Sequence, residues 1–135
     1  MRISVRLALP READSVPTVR RLLRCALSLC HLSRDDGNDL EIALTEACAN
    51  VVEHAAGADR IEVDLDVAED RCAIDVRDNG VGFDPSAAAG PGRGGERGRG
   101  LSLIRALADN VRMQSSPRRG SLIHFEKSLA GATVR

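Results

Sequence analysis

Between Arg60 and Arg77 apolar and polar residues alternate in two successive runs, Ile61, Val63, Leu65 and Val67 in the first and Cys72, Ile74 and Val76 in the second. Alternation with period two marks a strand with one buried face. The link between the runs, Ala68-Glu69-Asp70, is short enough to require an antiparallel hairpin. A sheet seeded in this way has one apolar face to cover, so the remaining chain must supply helices with a single apolar stripe.

The segment before the hairpin does so. From about Asp14 to Leu32, Val16, Val19, Leu22, Leu23, Ala26, Leu27 and Cys30 recur at spacings of three and four, with Pro17 in the first turn. Residues 33–38 are polar and turn-like, and a second helix is expected from about Asp39 to Ala55, striped by Leu40, Leu44, Ala47, Cys48, Val51, Val52 and Ala55 and stopped by Gly57. Arg2 to Leu9 alternates as a strand, ended by Pro10. After the hairpin come a turn at Asp78–Phe83, a glycine- and arginine-rich stretch, a helix from Gly100 to Asp109, and a final hairpin of Val111–Ser115 and Ser121–Ser128. Strands and helices do not alternate one for one, which disfavours a doubly wound parallel sheet. The pattern predicts a single α+β domain over residues 1–135, a two-layer α/β sandwich with a mostly antiparallel sheet covered on one face by about three helices, and a short tail at 129–135.

Composition narrows the function. The formal charge is −1, without the basic excess that nucleic acid or an anionic membrane demands. Phe83 and Phe125 are the only aromatics, too few for a base-stacking platform. Lys127 is the only lysine, and no glycine loop precedes it, so neither a P-loop nor the strand lysine of eukaryotic-type kinases exists. Residues 1–10 lack the apolar core of a signal peptide, and no run approaches a membrane span. The cysteines, Cys25, Cys30, Cys48 and Cys72, form no C-x-x-C pair. Cys25 and Cys30 read as buried free thiols on a helix rather than as metal ligands with His31, and the chain reads as cytoplasmic.

Three polar groupings stand out. Glu46, Asn50 and His54 repeat every four residues along the second helix, beside its apolar stripe. Such spacing usually marks a solvated face, but Asn is a poor helix-interior residue, and a carboxylate and an amide oxygen one turn apart are hard ligands suited to Mg²⁺. Asp78-Asn79-Gly80-Val81-Gly82-Phe83 places a carboxylate at a strand end beside glycines, which as a bare sequence is a tight turn. Gly94-Gly95-Glu96-Arg97-Gly98-Arg99-Gly100-Leu101 leads glycines into a helix, an arrangement found in surface linkers and in phosphate sites alike. Arg93, Arg97, Arg99 and Arg105 against a single Glu96 make this stretch locally basic, opposite the acidic Glu46 and Asp78.

Taken together and in this order, Glu46/Asn50, Asp78-x-Gly80-x-Gly82, Gly98-x-Gly100 and Gly120-Ser121 resemble the N, G1, G2 and G3 boxes of the GHKL (Bergerat-fold) ATPases. The nearest likeness is to bacterial anti-sigma-factor serine/threonine kinases of the RsbW and SpoIIAB kind, which carry an HATPase_c domain. The resemblance spans nearly the whole chain. It implies a mixed sheet with helices and a lid at residues 84–99 closing over ATP. It further implies that Asn50 coordinates Mg²⁺, that Asp78 accepts a hydrogen bond from the adenine amino group, and that Gly80 and Gly82 shape the base pocket. Gly98, Arg99, Gly100, Leu101, Arg105 and Ser121 would contact the nucleotide, and Glu46 would be the general base. Ser102 replaces a usual third glycine, and Ser121 a common threonine. The implied partners are a STAS-domain anti-anti-sigma factor as substrate, an alternative sigma factor, and a second copy of the chain in a homodimer near the first strand and helix. Histidine-kinase catalytic domains usually carry Asn where Glu46 stands and need a phosphoacceptor helix pair. Gyrase- and MutL-like ATPases need a transducer domain. The alternatives are a nucleotide-gated binder of sigma factor without kinase activity, against which Glu46 speaks, and a detached histidine-kinase-type ATPase domain.

Overall fold

The computed structural model describes residues 1–30, 34–81, 95–116 and 120–129. Strand β1 (Ile3–Pro10) is followed by helices α1 (Ser15–Leu29) and α2 (Arg34–His54). Strands β2 (Arg60–Val67) and β3 (Arg71–Asp78), helix α3 (Gly95–Leu107), and strands β4 (Asp109–Ser116) and β5 (Gly120–Ser128) complete the chain. The five strands form one sheet in the order β1-β2-β3-β5-β4. Every pairing in it is antiparallel, so the mixed sheet implied by the resemblance gives way to an antiparallel one, and the two-layer α+β architecture stands.

The register explains the layering. Ile3, Val5, Leu7 and Leu9 of β1 lie opposite Val67, Leu65, Val63 and Ile61 of β2, which meet Cys72, Ile74 and Val76 of β3, which meet Phe125 and Ile123 of β5. All these side chains therefore share one face, and from β2 to β5 they are buried. Val19, Leu23, Ala26 and Leu27 of α1 and Leu40, Ala43, Leu44, Ala47, Cys48 and Val51 of α2 cover them. Helix α2 lies between α1 and α3 and touches both. Burial pushes the thiols of Cys48 and Cys72 up to about 12. Cys30 is buried as expected, but Cys25 is exposed, because it lies one position off the stripe that α1 turns inward.

Helix α2 starts five residues earlier than the polar run 33–38 suggested. Asp35 and Asp36 in its first turn compensate the helix dipole, so a polar sequence there is a helix start rather than a turn. Among the described residues no helix is long and apolar enough to cross a membrane.

The opposite face of the sheet carries charge. Arg6 and Arg77 both reach Asp64 (3.0 and 2.9 Å), Arg77 also approaches Asp75, and His124 bridges Asp75 (2.5 Å) and Glu126 (2.9 Å), which Arg71 meets in turn. Partial burial works against protonation of His124, but its hydrogen bonds to Glu126 and Asp75 outweigh that and hold its pKa above 6.5, its ordinary value. A raised pKa means stabilisation that is complete below the unfolded value and lost as pH rises through the folded one. In His124→Gln, therefore, the deficit in melting temperature relative to wild type should be largest below pH 6.5 and shrink as pH rises above it. Thermal melts from acid to alkaline pH check it, and a constant deficit would refute the ion-pair account.

Candidate functional site

Asp78 ends β3 on the helix-covered face and is 8% exposed. A buried carboxylate needs hydrogen bonds, and two neighbours supply them. The Gly80 N–H donates to Oδ1 (2.8 Å), and the Ser121 hydroxyl donates to Oδ2. Ser121 lies directly opposite Asp78 in the β3–β5 register, so sheet pairing itself delivers this partner. Gly120 precedes it with φ +84°, and a Cβ there would lie 2.0 Å from the Asp78 carbonyl oxygen. Only glycine fits.

The turn after Asp78 leans on the end of α2. The Val81 N–H donates to the Ala56 carbonyl (2.9 Å), and a Cβ on Gly80 would meet that same oxygen at 2.7 Å. The Asn79 side chain accepts from the N–H groups of Asp59 and Arg60 (3.1 and 3.2 Å) and donates to the Asp59 carboxylate (2.6 Å). The Asn-Gly pair marks Asn79 as a turn-former, but its amide is also the fastener between this turn and the start of β2. Nothing in a single Asn-Gly pair signals that second job.

Up α2 from its last residue, His54, Asn50 lies about 6 Å and Glu46 about 12 Å along the axis, at 1.5 Å per residue. Asn50 is 7% exposed, and its Nδ2 is buried without a hydrogen-bond partner among the described residues. Glu46 is half-buried. Gly100 of α3 packs over both: a Cβ there would lie 3.3 Å from Asn50 Oδ1 and Nδ2 and from Glu46 Oε2. A cavity of about 290 Å³ opens beside Glu46, lined also by Arg20, Asn38, Glu41, Ile42 and Thr45. His54, the third member of the expected stripe, is exposed and approaches Glu53 at 3.6 Å, away from this cluster.

The structure thus brings Glu46, Asn50 and Gly100 together and, just past the C-terminal end of α2, Asp78, Gly80 and Ser121. Leu101 is half-buried and packs on the core, while Arg105 is exposed. Gly82, Arg93 and the proposed lid up to residue 94 lie outside the described residues, as do the side chains of Arg97 and Arg99 and the tail from residue 130. Helix α3 begins at Gly95 rather than Gly100. Gly98 and Gly100 consequently sit within the hydrogen-bonded helix, and its first turn, residues 95–97, carries the N–H groups without an intrahelical partner. Glycine lowers helix propensity without forbidding a helix, and at Gly100 the missing side chain is what admits α2.

Mg²⁺ accompanying a nucleotide fits this donor set. Such an ion takes one or two protein oxygens and completes its shell with phosphates and water, and the amide oxygen of the buried Asn50 next to the Glu46 carboxylate would offer that minimum. Among the described residues no group of three or more His, Cys, Asp or Glu could hold a metal by itself, so a metal caged wholly by protein ligands has no counterpart among them.

Known proteins resemble this chain in sequence and in fold. The family model of the histidine kinase-like ATPase domain matches residues 9–126. Serine-protein kinase RsbW of Bacillus licheniformis is 37% identical, over 78% of this chain and 74% of that protein. RsbW of Bacillus velezensis is 33% identical, over 96% and 88%. Among solved structures, one of the RsbU and RsbW domains of a Mycobacterium tuberculosis protein superposes with a TM-score of 0.74 at 22% identity, covering 94% of this chain and 32% of that longer one. A blue-light activated histidine kinase domain from Erythrobacter litoralis superposes at 0.56 and 13% identity, covering 93% of this chain and 66% of its own. At these identities the two structures speak to the fold alone.

Two glycine substitutions separate the packing roles at the site. Gly120→Ala is expected to cost more than about 2 kcal/mol, because both φ and the Asp78 carbonyl forbid a side chain. Gly100→Ala should stay within about 1 kcal/mol of wild type, since helix propensity favours Ala and only side-chain ends need shift. Urea unfolding of the two variants measures the difference.

Proposed function

The chain belongs to the histidine kinase-like ATPase domain family, and from that premise we propose that it is an ATP-dependent serine/threonine-protein kinase acting as an anti-sigma factor. Its substrate is a STAS-domain anti-anti-sigma protein, and it sequesters an alternative sigma factor when that substrate is phosphorylated. The observation that carries the reading is the pair on α2: a half-buried Glu46 one turn from the buried amide of Asn50, both packed beneath Gly100.

Phosphoryl transfer asks a protein for positioning, charge neutralisation and an oriented nucleophile. Asp78, held by Gly80 and Ser121, accepts the adenine amino group, with Gly80 and Gly82 bounding the base. The Asn50 amide oxygen holds Mg²⁺. The metal, when bound with the nucleotide, supplies charge neutralisation at the phosphates. Gly98, Arg99, Gly100, Leu101 and Arg105 line the phosphate end. Glu46 takes the proton of the incoming serine or threonine hydroxyl, and the cavity beside it gives the acceptor segment access. RsbW relatives are named serine-protein kinases, which favours a hydroxyl over a histidine acceptor. A second copy of the chain fits along β1, the sheet edge where Ile3, Val5, Leu7 and Leu9 remain half-buried, and a cytoplasmic setting suits all of these partners.

Incubation with labelled ATP, Mg²⁺ and the STAS-domain proteins of its own genome tests the proposal. Wild type should label a serine or threonine. Glu46→Gln should slow transfer by about 10²- to 10⁴-fold with ATP still bound, and Asn50→Ala should lose Mg²⁺-dependent ATP affinity. A protein that binds ATP but labels none of these partners would be a nucleotide-gated binder instead.

A further inference from the structure

Arg11 lies between β1 and α1, outside every motif of the sequence. Its half-buried guanidinium reaches across to the end of α2: Nε donates to the carbonyls of Val51 (2.9 Å) and Val52 (3.2 Å), and an Nη atom donates to that of Ala58 (3.4 Å). Its own N–H donates to the Asp59 carbonyl (3.0 Å). One residue therefore grips four carbonyls in the segment 51–59, beginning at the position next to Asn50.

That segment is the wall behind Asp78. Ala56 offers its carbonyl to Val81 and limits Gly80 to a bare Cα. Gly80 donates to Asp78. Asn79 closes the same wall from the other side through Asp59 and Arg60. A guanidinium is suited to this task, since its planar fork addresses several acceptors at once and stays charged, and a cation at a helix C-terminus also complements the dipole.

We propose that Arg11 is a positioning residue for the nucleotide base: by holding the end of α2 against the Asp78–Val81 turn it fixes the Asp78 carboxylate and sets its spacing from Asn50. This rests on the nucleotide reading of the same site. The consequence is selectivity. A fixed carboxylate accepts the amino group of adenine and repels the carbonyl oxygen that guanine presents at the equivalent position, so the preference for adenine depends on how firmly the wall is held.

The test is equilibrium binding of Mg-ATP and Mg-GTP to the full chain, in wild type, Arg11→Ala, Arg11→Lys and the exposed-surface control Arg21→Ala, each checked for folding by thermal melt. In Arg11→Ala the ATP dissociation constant should rise about three- to tenfold, the range spanned by the net worth of one hydrogen bond. The GTP constant should stay within about twofold, so that the ATP-over-GTP preference narrows by a similar factor. Arg11→Lys, which keeps the charge and one donor direction, should recover part of the preference, and Arg21→Ala should match wild type. Parallel weakening of ATP and GTP, or an unchanged ATP constant, would overturn the proposal and leave Arg11 a helix cap. Should Arg11→Ala not fold, the same criterion applies to Arg11→Lys and Arg11→Gln, in which the preference must narrow at least about twofold. A wild type that binds neither nucleotide overturns the site reading and this proposal together. A wild type that binds ATP, with Arg11 variants indifferent, overturns this proposal alone.

Discussion

A carboxylate withdrawn from water at the end of a strand has to be given hydrogen bonds, and much of this molecule is arranged around doing so for Asp78. The β3–β5 register places Ser121 opposite it, Gly120 supplies the positive φ that lets β5 begin against its carbonyl, and the Gly80 N–H closes back onto Oδ1. Moving the register by one residue would send the Ser121 hydroxyl to the charged face and leave Asp78 buried without that partner. The hydrophobic pairing of Val76 with Ile123 and of Ile74 with Phe125 is thus also what solvates the carboxylate.

Helix α2 joins the two ends of the site. Its apolar stripe docks on the sheet, which fixes its rotation, and its last turn rests on the Asp78–Val81 turn, which fixes its height. With both set, Asn50 and Glu46 have no freedom except that of their side chains. Gly100 then brings α3 close enough that the Asn50 Nδ2 loses water without gaining a partner among the described residues. An unsatisfied buried amide costs on the order of 1–3 kcal/mol, a cost out of place in a helix chosen for stability alone and natural where a ligand completes the bonding.

The parts of this arrangement that obey a period were legible from the residues. Alternation gave β2 and β3 their bounds and their buried faces, and the i, i+4, i+7 stripe gave α2 its core residues. Three parts were not. The start of α2 was obscured because polar residues that complement a helix dipole look like those of a turn. The start of α3 was obscured because glycines that admit a neighbouring helix look like those of a loop. Arg11 was invisible because its partners are backbone carbonyls 40 to 47 positions away, and a carbonyl has no letter in a sequence.

The lone lysine follows the same logic as Arg11. Lys127 excluded a P-loop on sequence grounds, and in the structure its Nζ donates to the Leu107 carbonyl at the end of α3 (3.0 Å) and meets Asp39 near the start of α2 (3.2 Å). It lies on β5 on the same face as Phe125, Ile123 and Ser121. Arg11 therefore fastens the end of α2, and Lys127 ties its start to the end of α3. Two cations from outside the helices hold α2 at both ends and α3 at one, and the space between those helices, where Gly100 covers Asn50 and Glu46, is set by them. In a site with no lysine to spare for phosphate, these two cations fix the spacing of the walls, and the groups that would meet the nucleotide are amides, carboxylates, a hydroxyl and the arginines of α3.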